Sequence, residues 1–201
     1  MQTTENNMIS RIYGHGRGWC FTPSSFLDLG SHDAVRQALK RLENKGKIRS
    51  IARGLYDYPR THKAIGELPP DLEKAAEAVA QKFGLRIQAS GAYAANLLGL
   101  SEQVPAKVVF LTDGSSKKIK IANTEVMFRK TTPKNMKLAG SAAGLVIQAF
   151  KYMGKQHITP KIAAGVLLRL RLDDKQFLLK NLSASPSWIA KLIKSVAEEA
   201  T

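Results

Sequence analysis

Residues 30–59, GSHDAVRQALKRLENKGKIRSIARGLYDYP, constrain the fold more than any other stretch, because a helical hydrophobic period gives way within a few residues to a strand period. Val35, Ala38, Leu39 and Leu42 stand at i, i+3, i+4 and i+7 and make one apolar stripe. Ser31 suits the N-cap of that helix, and Gly46 supplies its stop. At about 100° per residue, Asp33, Arg36, Gln37, Lys40 and Asn44 fall on the opposite side. KIRSI and LYDYP follow as β-prone runs joined through Ala52-Arg53-Gly54, where glycine is available for a positive φ. The expected local structure is a helix with a basic outer face, followed by a short hairpin with Arg53 at its tip.

Two further helices are expected upstream. Met8, Ile9, Ile12 and Tyr13 recur at helical spacing until Gly14, Gly16 and Gly18 end the pattern. In TPSSFLDLG, Thr22 and Pro23 suit an N-cap and first position, with Phe26, Leu27 and Leu29 to bury. Three helices and a hairpin make a winged helix-turn-helix, whose reading helix fits a major groove about 12 Å wide. On that reading Arg36 suits guanine and Gln37 adenine, while Ser31, Lys40, Arg41 and Lys47 face the DNA backbone. Arg49 on a strand and Arg53 at the tip reach it from a second direction. The helix alone reads better as an ordinary solvated face. The hairpin changes this, because packing calls for Ile48, Ile51, Leu55 and Tyr56 but not for Arg49 or Arg53.

The overall charge agrees with a polyanion partner. Thirty-one Lys and Arg against sixteen Asp and Glu give +15 and a pI near 10.0 over 201 residues, a surplus that favours nucleic acid or an acidic membrane surface. No apolar run is long enough to span a bilayer and no signal peptide is apparent, so a soluble cytoplasmic protein without a membrane partner is expected. Cys20 is the single cysteine, which excludes an internal disulfide framework; its aromatic neighbours suggest a core position, and Trp19 is expected to pack behind the turn.

Enzyme signatures are weak. His15, His32, His62 and His157 are scattered, with no metal-ligand spacing among them. Asp173-Asp174 suits the start of a helix, and TDGSSKK lacks phosphate-loop spacing and reads as a turn, leaving Ser115 and Ser116 without an activating base. Tyr93 and Trp188 suit a core or a partner contact. No catalytic residue, cofactor or metal is expected, and the chain reads as a non-enzyme.

The fold class expected is α+β. A winged helix-turn-helix domain over 1–60 and a linker over 61–70 precede a larger α/β domain over 71–201 with a C-terminal helical layer. Within the larger domain, strands are expected near Val108–Leu111, Lys117–Ile121 and Glu125–Phe128, and helices after caps at Ser141, Thr159 and Ser185. Lys118 and Lys120 alternate with Ile119 and Ile121 along the middle run, and together with Lys117 they either touch phosphate or protect a sheet edge.

The stretch from RIYGHGRGWC to GLYDYP resembles the N-terminal winged helix of AbiEi-family antitoxins of type IV, abortive-infection toxin–antitoxin systems. KGKIRSIARGLYDYP is the most specific part. SGAYAANLLGL and SASPSWIAKLI are similar to the C-terminal domain of the same family. The resemblance implies a repressor that binds double-stranded promoter DNA at inverted repeats, and a C-terminal domain that counteracts a cognate nucleotidyltransferase-like toxin. Two other readings stay open. One is a transcription factor with a ligand-sensing or dimerising larger domain; the other is an RNA-binding module, against which stands the absence of an aromatic-rich sheet.

Overall fold

Helix α1 (Thr4–His15) buries Met8 and Ile12 on one side, as the spacing predicts, and opens an α+β fold. The computed structural model describes residues 4–103 and 105–199. After α1 come strand β1 (Cys20–Phe21), a 3-10 turn (Pro23–Phe26), helix α2 (His32–Asn44) and strands β2 (Arg49–Ala52) and β3 (Leu55–Asp57). β3 lies between the other two strands, antiparallel to both, with Cys20 opposite Asp57 and Arg49 also opposite Asp57. Beneath this sheet Phe21, Phe26, Val35, Leu39 and Ile48 share one core with α1 and α2.

Two local expectations change. TPSSFLDLG is expected to be a helix, yet it makes only the 3-10 turn. Ser25 closes it at once, its amide donating to the Thr22 carbonyl at 3.0 Å and its hydroxyl accepting from the Thr22 amide at 3.4 Å. Phe26 is fully buried, whereas Leu27 faces solvent. The stretch over 61–70 contains a small antiparallel pair, β4 (Thr61–His62) and β5 (Gly66–Glu67). Helix α3 (Leu72–Lys82) then buries Ala75, Ala76, Ala78 and Ala80 and packs on β1 and β3, so the first compact unit runs to Leu85 and also includes Ile119–Thr124. The small alanine face lets α3 lie close to the strands.

The second unit covers Arg86–Lys118 and the chain from Glu125 onward. It begins with β6 (Ile87–Ser90) and α4 (Gly91–Leu97), then β7 (Lys107–Thr112); β8 (Lys117–Ile121) passes into the first unit at Ile119, and β9 (Thr124–Lys130) belongs to the second unit from Glu125. The sheet order is β6-β7-β9-β8; β6 runs antiparallel to β7, and β7 runs parallel to β9 with Phe110 opposite Phe128. β9 takes the place beside β7 because Val126 and Phe128 offer it buried apolar side chains, whereas β8 carries exposed lysines. The edge position of β8 suits lysines as a guard against further strand pairing.

A short helix α5 (Pro133–Met136) leads to α6 (Ala142–Met153), α7 (Pro160–Arg169), α8 (Leu172–Lys180) and α9 (Ser187–Glu199). Val146, Phe150, Val166, Leu178, Ile189 and Ile193 form their common core. The hydroxyls of Ser141 and Thr159 cap α6 and α7 by accepting from Gly144 and Ile162 amides. Ser185, expected to cap α9, donates instead to the Leu182 carbonyl at 2.7 Å and closes the preceding turn. Asp173 and Asp174 lie in the first turn of α8, where the helix dipole favours them. Among the described residues no helix is long and apolar enough to cross a membrane.

Candidate nucleic-acid interface

The apolar stripe of α2 decides which side chains face outward. Val35, Ala38, Leu39 and Leu42 are buried, and Ser31, Arg36, Gln37, Lys40 and Arg41 are exposed. Ser31 caps the helix, its hydroxyl accepting from the Ala34 amide at 3.3 Å. One turn along, Arg36 donates to Asp33 at 3.0 Å, and Lys40 pairs with Glu43 at 3.3 Å. The Arg36 and Asp33 side chains are 77 % and 78 % exposed, so this pair contributes at most about 1 kcal/mol and yields readily to a stronger anion. Gln37 has no hydrogen-bond partner among the described residues.

Arg41 and Lys45 both reach back to Glu5 on α1, Arg41 at 2.9 Å. The Lys45 ammonium, followed by Arg41, holds the Glu5 carboxyl below the usual carboxylate range against the opposing effect of desolvation. This shared carboxylate ties the start of α1 to the end of α2. Lys45 was not singled out in the sequence: its i,i+4 spacing from Arg41 is visible there, but their common anion comes from another helix.

Arg49 differs from its expected place at a DNA backbone. Its guanidinium donates twice to the Asp57 carboxylate, at 3.0 and 2.7 Å, and also to Glu67 at 3.3 Å and the Leu68 carbonyl at 3.0 Å. Asp57 is only 1 % exposed, and its hydrogen bonds raise the already high proton affinity of Arg49. The reason is geometric, since the antiparallel register sets Arg49 directly opposite Asp57. Arg49 therefore satisfies a buried charge. Nearby, burial pushes the Cys20 thiol up to about 12, with Asp57 and Asp71 adding to the shift, so the cysteine is a core residue and no nucleophile at neutral pH.

The β2–β3 turn is two residues long, Arg53 and Gly54, and Gly54 adopts a φ of 69°. Buried Ile51 and Leu55 anchor the strands on either side, leaving Arg53 exposed. Lys47 is exposed as well, and neither cation has a partner among the described residues. Thus the first unit joins exposed Arg36, Gln37 and Lys40 on a helix with Arg53 on a hairpin, both held by one structural unit. Arg41 is shared with Glu5, and Arg49 is fully engaged. Among the described residues no group of three His, Cys, Asp or Glu side chains could hold a metal ion.

The family described as "Family of unknown function (DUF6088)" matches residues 7–178. No curated protein matches the chain. A solved structure, of the RV2827C protein from Mycobacterium tuberculosis, is similar over 98 % of this chain and 77 % of that one, at 12 % sequence identity and a TM-score of 0.47.

Proposed function

We infer that this chain, which belongs to the DUF6088 family, is a DNA-binding repressor whose first unit works as a winged helix. In this reading α2 enters the major groove, and the β2–β3 hairpin is the wing. The observation that carries it is the pairing of outward-facing groove chemistry with an unpartnered cation at an adjoining turn. Arg36 and Gln37 can each make a bidentate contact to a base edge, and Lys40, Lys47 and Arg53 can neutralise phosphates. A purely structural role would account for the buried stripe and for Arg49, but it requires no unpartnered arginine at the tip of a two-residue turn.

The sequence resemblance extends the proposal to an antitoxin. The first unit would bind inverted repeats in its own promoter, and the second would counteract a nucleotidyltransferase-like toxin encoded beside it. The test is binding of the full chain to its own promoter region against a random duplex of equal length, followed by co-expression with the adjacent open reading frame. Preference for the promoter together with rescue of growth supports the whole reading. Preference without rescue leaves a repressor and removes the antitoxin; equal binding to both duplexes removes the winged-helix assignment.

A further inference from the structure

From Val126 to Leu172 the chain has no aspartate or glutamate and nine Lys and Arg, while the whole sequence has sixteen acidic and thirty-one basic residues. Five of the nine stand on consecutive pieces of the second unit, at the end of β9 (Arg129, Lys130), in and just after α5 (Lys134, Lys137) and near the end of α6 (Lys151), and all five are exposed. Asn135 connects these pieces. Its amide donates to the Thr131 hydroxyl at 2.8 Å, and its carbonyl accepts from the Lys151 ammonium at 3.2 Å.

Lys134, Asn135, Gln148 and Lys151 line one shallow depression together with Leu138 and Ile147. Gln148 is only 7 % exposed as a residue, and its side-chain amide, which has no hydrogen-bond partner among the described residues, reaches the surface at the hollow. An amide that no protein group engages and that opens onto a hollow is free to donate to a bound anion. Here the amide lines the same hollow as two ammonium groups, a donor set that matches an anion with several oxygens.

We propose that this depression binds a backbone phosphate of a nucleic-acid strand. Lys134 and Lys151 neutralise the phosphate, and the Gln148 amide donates to one of its oxygens. Asn135 is a positioning residue that holds Lys151 over the hollow. Arg129, Lys130 and Lys137 meet neighbouring phosphates. A strand fits better than a free nucleotide, because the hollow is too shallow to enclose a base and the basic surface continues beyond it. The site uses no residue of α2 or of the β2–β3 hairpin, so its residues are distinct from those of the proposed winged helix.

The full chain is titrated with fluorescein-labelled random 12-mers, single-stranded and duplex, across a salt series. In an R36A/R53A background, K134A/K151A is expected to weaken binding at least tenfold near 0.1 M salt. The slope of log K against log salt falls by about 1.4 for the single strand and about 1.8 for the duplex, as expected for two lost phosphate contacts. K134R/K151R keeps the slope, and Q148L weakens binding without changing it. An unchanged slope in K134A/K151A overturns the proposal, as does displacement of the strand by a nucleoside triphosphate with equal affinity. Failure of the winged-helix reading shows separately, as R36A/R53A binding promoter DNA as the parent does.

Discussion

Arg49 and Asp57 face each other across β2 and β3, joined by two hydrogen bonds of 3.0 and 2.7 Å around a carboxylate that is almost wholly buried. Removing the arginine strands that carboxylate. Arg49→Ala is expected to lower stability by about 3–5 kcal/mol in urea unfolding, while the DNA affinity of the remaining folded protein is unchanged. A variant of parental stability with weakened DNA binding would return Arg49 to the interface.

Arg36 and Gln37 should carry base preference. Arg36→Ala or Gln37→Ala is expected to reduce discrimination between promoter and random duplex by about 1–3 kcal/mol per lost bidentate pair. Both side chains are exposed, so melting temperature should stay near the parental value. Competition titrations with single-base operator variants locate the position that each residue reads.

Arg53 should act on every sequence alike. Arg53→Ala is expected to weaken promoter and random duplexes equally and to flatten the salt slope by about 0.9. Anisotropy titrations at four salt concentrations measure this directly. A loss confined to the promoter would make Arg53 a base reader and not a phosphate contact.

Glu5 makes the joint between α1 and α2 sensitive to acid. Its carboxyl is held below the ordinary range, so the folded state favours the ionised form more than the unfolded chain does. The stabilisation is present above the unfolded value and is lost as pH falls through the folded one. Glu5→Gln is therefore expected to be less stable than the parent at neutral pH, with the difference closing as the pH is lowered into that window. Thermal unfolding across an acid series follows the convergence.

Cys20 should be masked by the fold. With the thiol pushed up to about 12 by burial, a thiol-reactive probe at pH 8 is expected to label it only as fast as the first unit opens. Rapid labelling of the native protein would place Cys20 at the surface.

Periodicity made α2 and its hairpin readable, because Val35, Ala38, Leu39 and Leu42 repeat at one period and Ile51 and Leu55 flank a glycine turn. Caps at Ser141 and Thr159 were readable for the same local reason. What escaped depends on partners distant in sequence. Asp57 takes Arg49 out of the candidate interface through strand register, and Glu5 draws Lys45 and Arg41 together from another helix. Phe26 and Leu27 look alike in the sequence, but the early closure by Ser25 buries only the first. Gln148 reads as one polar residue in an apolar helix, and only its neighbours across the hollow give it chemistry.

The parallel pairing of β7 with β9 has a consequence for the nascent chain. When residues 107–112 leave the ribosome, the segment that follows them is not their neighbour, and the edge they do not share with β6 must wait until residue 130 has been made. During that delay β8 is the competing mate, and its lysines repel company on one side while offering little grease on the other. The lysines suited to guard the β8 edge thus also discourage a premature meander, and the pairing of β7 with β9 is deferred until the correct partner is at hand.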